Sequence, residues 1–426
     1  MPGGMFRRAV AARAVRVAAT GGPVLASGAG ARVLRGRCGA GRSAADVARL
    51  LERLGGGFLK AGQLLGTRPD LVGDAAAAAL GRLQDDVAPM PPSAAATVVR
   101  SALGTVPDGI AAALAAAPVA GGAIACVYRA EVDGRGVAVK VRRPGAAAAI
   151  AIDLAILRWL ARTAAYLPPF RRVPLPGIVD ELGVLLVRQA DLRAEAAGLR
   201  RLRRALADLP GVVVPDTVPG LCGDGVITMD FVDGLDRSCA ETLPPSVRRE
   251  QTALLVRAVY RMLFVEGLAH LDLHQGNVYF RRDGSVALLD AGLVCALDER
   301  SRRAFTEFFA GMIRGDGDAC AEVLVSTVRA EAGGTDLAGF RRRVRGLVVE
   351  AGGRAAGDFD LAGFCVRLFD LQRRHRLFAD PRFVIPMTCL LTLEGAVRRN
   401  HPALDFQLEA APYALEGLLR PAAAPD

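Results

Sequence analysis

The 426-residue chain is 52% hydrophobic and 5% aromatic with a formal net charge of +10, enough apolar material for a substantial core divided into two or three lobes. Its eight cysteines show no CxxC spacing and fall mostly within apolar runs, which implies neither a disulfide framework nor a zinc cluster and fits a reducing compartment. The charge is concentrated at the start: residues 1–45 hold eight arginines and no acid, which suits an amphipathic helix on an anionic membrane surface, a transit-peptide-like leader or a basic flexible tail.

In chain order, that basic N-terminal segment precedes three amphipathic helices, over 46–66, 70–88 and 93–103, so 46–117 reads as a helical extension. From residue 118 the period changes to two. IACVYRAEV, the turn DGRG and VAVKVRR read as an antiparallel hairpin whose turn is relieved by Gly134 or Gly136. Helices are expected over 147–167 and 177–208, and VVVPDTV and GVITMDFVDG add two strands, closing a strand-bearing lobe over 118–232. Residues 233–416 read as a helical lobe: a helix over 246–268, the stretch HLDLHQGN, a strand pair around NVYFRRDGSVALLD, then helices from 299 onward. Residues 417–426 end in PAAAPD, a composition suited to a disordered tail. The most apolar stretch, 147–167, is interrupted by Asp153, Arg158 and Arg162, so no transmembrane span is expected. Aromatic residues do not interleave with the basic charge, so no nucleic-acid partner is expected either.

Chemistry concentrates in HLDLHQGN, which holds two of the four histidines. Asp272 and Asn277 lie five apart, ahead of a strand pair ending in Asp290. That order matches phosphoryl-transfer sites in which a loop Asp positions the acceptor while an Asn and a second Asp hold the metal. Their oxygens suit Mg²⁺, a hard cation that shares its shell with ATP phosphates. Upstream, Lys140 sits in VAVKV, where a strand would aim its ammonium at the α- and β-phosphates. Glu195, on an expected helix, is placed to pair with it. The hairpin before it reads A-x-G-x-x-A-x-V from Ala120 to Val127, a nucleotide-covering loop with alanine at two glycine positions. The chain has 52 arginines and only two lysines, Lys60 and Lys140; an ammonium kept at just two places singles out both.

These motifs resemble the UbiB/ABC1/COQ8 (AarF) family of atypical kinase-like proteins. FLKAGQLLGTRPDL is similar to its Lys-x-Gly-Gln signature, LQDDVAPMP with Asp85 and Asp86 to the segment that follows, and PVAGGAIACVYRA to its Ala-rich loop. HLDLHQGN, LLDAG and LEGAVRRNHPALD, around Glu394 and Gly395, extend the likeness over about residues 46–410. The resemblance implies an α+β, protein-kinase-like bilobal fold with the N-terminal helical extension packed over the active site. It implies ATP and Mg²⁺ as cofactors, Asp272, Lys140 and Glu195 as catalytic residues, and Asn277 and Asp290 as metal ligands. Ala120, Gly121, Gly122, Ala123 and Val127 would cover the nucleotide, and Met229, Asp230 and Phe231 would form the adenine hinge. Lys60, Gly62, Gln63 and Asp191 would gate the site, and His270 and His274 would support the loop. A peptide substrate is disfavoured. An ATPase or lipid-like small-molecule kinase in isoprenoid quinone or related lipid metabolism is expected, cytoplasmic and peripheral on the inner face of the cell membrane. A membrane surface, an isoprenoid lipid or a lipid-biosynthesis protein complex would be its partner.

The chain departs from that pattern in places. The family's Glu-x-Asp is Gln189, Ala190, Asp191; Cys126 and Tyr128 stand where Gln and His are usual; and Asp290 is followed by Ala291 instead of Phe. Two alternatives follow. One is a pseudokinase that binds ATP as a conformational switch or scaffold. The other, a metal-dependent hydrolase with His270, Asp272 and His274 as ligands, leaves Lys140, Asn277 and Asp290 without a role.

Overall fold

The computed structural model describes residues 3–26, 40–66, 76, 79–83, 88–167, 175–236, 238–274, 276–330, 336–351, 360–375, 377–379 and 381–420. Asp85 and Asp86, most of the expected 70–88 helix and the tail beyond residue 420 lie outside them. The chain divides into two compact units, residues 1–197 with 217–231 and residues 198–216 with 232–426.

The first unit opens with helix α1 (Gly3–Ala26). The stretch 46–66, read from its periodicity as one helix, is two: α2 (Ala40–Leu54) and α3 (Gly56–Gly66). Gly55 and Gly56, at φ +60° and +56°, break them, a backbone region that glycine enters without steric cost. Helices α4 (Pro92–Leu103) and α5 (Asp108–Ala115) follow, then an antiparallel sheet in the order β1 (Ala120–Gly121), β2 (Ala125–Val132), β3 (Arg135–Arg142), β5 (Val226–Asp230). Asp133 and Gly134 make the β2–β3 turn with φ of 51° and 72°, the left-handed pair that suits the twist of a two-residue hairpin.

Period-two alternation then sorts the sheet's faces. Cys126, Tyr128 and Ala130 on β2 and Val137, Val139 and Val141 on β3 pack with Val99, Ile110 and Leu114 of α4 and α5. Val127 is paired with Lys140, so both belong to the opposite face. Two helices complete this unit's frame, α6 (Ala146–Ala164) and α7 (Leu175–Gln189). Helix α8 (Leu192–Ala205) begins in the first unit and ends in the second. The expected 177–208 helix is thus divided at Ala190 and Asp191.

In the second unit, β4 (Val212–Val213) runs parallel to β8 (Val286–Leu288), which pairs antiparallel with β7 (Val278–Phe280). That pairing gathers residues 198–216 into this unit, although chain order alone groups them with the other strands. A second pair joins β6 (Leu268–His270) to β9 (Val294–Ala296). Before β6 in chain order, α9 (Cys239–Thr242) and α10 (Pro245–Tyr260) lead into a π turn at Arg261–Val265. The remainder is α11 (Glu299–Arg314), α12 (Gly317–Thr327), the strand β10 (Val328–Ala330), α13 (Leu337–Ala351), α14 (Leu361–Arg374), β11 (Leu377–Ala379), α15 (Pro381–Asn400) and α16 (Phe406–Leu419). Tyr260, Phe264, Phe305 and Phe309 pack, partly stacked and partly tilted, at centroid distances of 5.1–6.3 Å within its core. Among the described residues no helix is long and apolar enough to cross a membrane.

Candidate functional site

The first unit supplies a buried ion pair. Lys140 Nζ lies 2.5 Å from Glu195 Oε1, with side-chain exposures of 16% and 2%. Strand β3 sets the lysine's direction. Glu195 is set by the first turn of α8, whose N-cap is Asp191: its Oδ1 accepts from the N–H groups of Arg193 (3.1 Å) and Ala194 (3.0 Å). Asp191 therefore caps α8, satisfying amides that a helix start leaves without partners.

The loop before β2 is tight. Ala120 pairs with Val127 and Gly121 with Cys126, and the Gly122 N–H donates to the Ala125 carbonyl at 2.9 Å. Ala123 is half-buried at its tip. The departures at Cys126 and Tyr128 fall on the sheet's apolar face, away from Lys140, because each is an odd number of residues from Val127. At the far end of β5, Met229 is buried and Asp230 forms an ion pair with Arg135. The Phe231 N–H donates to Gly136 (3.2 Å), and the Arg129 guanidinium lies 4.4 Å from the Phe231 ring centroid. Three residues of the expected hinge are thus tied to the β2–β3 hairpin.

Helix α3 carries Lys60, Gly62 and Gln63. Gly62 is a close approach: a Cβ there would stand 2.7 Å from both Leu51 and Leu83 side chains. The Gln63 amide donates to the Leu83 carbonyl at 3.2 Å. The start of α3 is fastened by Asp153 of α6, which is 2% exposed. Its carboxylate accepts from the Gly57 N–H (2.8 Å) and from Arg13 Nε of α1 (2.8 Å), while Arg13 Nη2 reaches the Leu54 carbonyl (2.8 Å). Sequence reading treats Asp153 only as an obstacle to a membrane span and Arg13 as one charge in a basic segment. A buried carboxylate needs a partner, and that need was the available signal.

In the second unit, HLDLHQGN folds around His270, which is 1% exposed. Its Nδ1 accepts from the Asp272 N–H (3.2 Å), so Nε2 carries the proton it donates to the Asp290 carbonyl (2.8 Å). Burial lowers the pKa of the ring, in keeping with that neutral form. Asp272 is buried, and the Asn277 amide donates to its backbone carbonyl (3.0 Å) and its Oδ2 (3.1 Å). The Leu289 N–H donates to the Asn277 carbonyl (3.0 Å), setting Asn277 beside the strand end that carries Asp290. Asp290 Oδ1 accepts from the Gly292 N–H (2.8 Å), and exposed His274 accepts from the Gly276 N–H through Nδ1 (2.9 Å).

Both His270 nitrogens are therefore committed, and no three His, Cys, Asp or Glu among the described residues form a metal centre. With both His270 nitrogens engaged, the hydrolase alternative lacks one of its three expected ligands in this arrangement. Asn277 and Asp290 could hold Mg²⁺ in another way. With Nδ2 spent on Asp272, Asn277 offers its amide oxygen, and two protein oxygens completed by phosphate and water are what Mg²⁺ commonly takes.

Comparison with known proteins sets these halves in a family. The Synechocystis protein slr0889 is 28% identical over 363 residues, covering 82% of this chain and 89% of its own. Rv3197 from Mycobacterium tuberculosis, solved with erythromycin, shares the fold at a TM-score of 0.56 and 22% identity, over 87% of this chain and 95% of that one. The family model described as the ABC1 atypical kinase-like domain matches residues 82–324, more than half of the sequence. The chain belongs to the ABC1 atypical kinase-like family, with the mixed α+β fold of that family.

Proposed function

We propose that this chain binds ATP with Mg²⁺ and works as an ATPase or a lipid-like small-molecule kinase in, or regulating, isoprenoid quinone or related lipid metabolism. The observation that carries the reading is the Lys140–Glu195 pair at 2.5 Å, which holds the chain's one sheet lysine as a fixed ammonium. Lys140 would neutralise phosphate charge. Asp272, braced by Asn277, would orient the acceptor or a water and take its proton at a carboxylate oxygen. Asn277 and Asp290 would hold Mg²⁺, which when bound draws charge from the phosphates. The proposed ligands of adenine are the Met229–Phe231 segment, and those of the phosphates the loop from Ala120 to Val127. Lys60 and Gln63 are proposed to gate the site, a role supported by the close packing of α3.

The test is thermal unfolding with Mg²⁺-ATP, Mg²⁺-ADP and Mg²⁺-GTP on wild type, Lys140→Met and Asp290→Asn. A saturable rise in Tm that needs Mg²⁺ and is lost in both variants supports the site, since a ligand that binds only the folded state stabilises it by mass action. Folded protein whose Tm is unmoved by any nucleotide rejects it. Phosphate release with and without liposomes then separates turnover from a pseudokinase switch.

A further inference from the structure

Arg143, directly after β3, belongs to none of the groups above, yet it makes three contacts around the loop before β2. Its Nε donates to the Gly122 carbonyl at 2.8 Å and its Nη2 to the Ala88 carbonyl at 2.8 Å. Its own N–H donates to the Ile124 carbonyl, also at 2.8 Å. Guanidinium hydrogen bonds are charge-assisted, and the planar fork can serve two carbonyls at once. Gly121 and Gly122 would otherwise give this loop more backbone freedom than the alanines around them. Ala88 precedes α4, so one side chain ties the loop both to the end of the lysine strand and to the helical extension.

We propose that Arg143 is the positioning residue of the nucleotide-covering loop. It is a strut that locks residues 120–125 in one conformation against the helical extension, making the loop a rigid cover whose geometry sets nucleotide affinity. The affinity part rests on the nucleotide-binding reading; the strut stands on the loop's own hydrogen bonds.

Hydrogen exchange of the full chain tests the strut without nucleotide, on wild type, Arg143→Ala, Arg143→Lys and the exposed control Arg345→Ala. In Arg143→Ala, the amides of 119–127 are expected to exchange at least about tenfold faster while those of β3 and β5 stay protected, since the loss of even one charge-assisted hydrogen bond predicts a change of that order. Arg143→Lys should fall between, because an ammonium engages one carbonyl at a time, and it supplies the comparison if the alanine variant does not fold. Arg345→Ala should match wild type. Nucleotide titration should then show Kd for the Mg²⁺ complex about tenfold weaker in Arg143→Ala. Unchanged exchange in both Arg143 variants overturns the strut. Faster exchange with unchanged Kd overturns its control of affinity. A wild type that binds no nucleotide, with a loop that still loosens in Arg143→Ala, rejects the nucleotide reading and supports the strut.

Discussion

Lys140 Nζ sits 2.5 Å from Glu195 Oε1, and Glu195 is almost fully buried. Removing the ammonium leaves that carboxylate without its cation. Lys140→Met is expected to cost about 3 kcal/mol in chemical denaturation, the usual penalty for breaking one side of a buried pair. Glu195→Gln, which keeps an acceptor and removes the charge, should cost less than half of that. Equal losses in the two variants would count against a charge-based pair.

Asp191 accepts two amide hydrogens at the start of α8, four residues before Glu195. Asp191→Ala is expected to lose about 1 kcal/mol and Asp191→Asn almost nothing, because asparagine caps equally well. If the Asn variant instead loses nucleotide binding while its stability holds, the carboxylate charge serves gating beyond the cap.

Arg13 and Asp153 join α1 to α6 and, through Gly57, to α3. Arg13→Ala should destabilise the fold by about 3 kcal/mol and open residues 3–26 to limited proteolysis. Gly57→Ala should also be costly, by about 1–3 kcal/mol, since its Cβ would lie 2.8 Å from the Asp153 Cβ. Proteolysis of α1 at the wild-type rate in both variants would dismiss the fastening role.

Glu394 is buried, accepts the Leu361 N–H at 2.9 Å, and has its pKa raised chiefly by that burial. A carboxyl whose folded pKa exceeds its unfolded value favours the fold fully below the unfolded value of 4.5, and that contribution is lost as pH rises through the folded value. Glu394→Gln keeps an acceptor without the charge. It should therefore be more stable than wild type at pH 8, with the advantage shrinking towards pH 4.5 in paired denaturation curves. A pH-independent difference would show that Glu394 does not titrate between the two states.

The candidate site was legible where chemistry demands a residue type at a fixed spacing. Asp272, Asn277 and Asp290 could be read from order alone, as could Lys140 within an alternating strand, because each belongs to a short local element. Illegible were the contacts made across the chain: Arg143 to Ala88, Arg13 to Asp153, and His270 to the Asp290 carbonyl. A guanidinium that can donate to any carbonyl or carboxylate leaves no spacing signal, and among 52 arginines none stands out by composition.

Element boundaries divide the same way. Period-two alternation with Asp133–Gly134 determined the β2–β3 hairpin, and the Lys-x-Gly-Gln and HLDLHQGN stretches determined the family, since turn geometry and ligand chemistry act over a few residues. Tertiary structure decided that Val212 and Val213 pair with Val286 and Ala287, and that the helix Gly3–Ala26 within the basic start is fastened by one buried carboxylate. Those outcomes depend on which distant groups can share hydrogen bonds out of water, a condition that only the folded chain imposes.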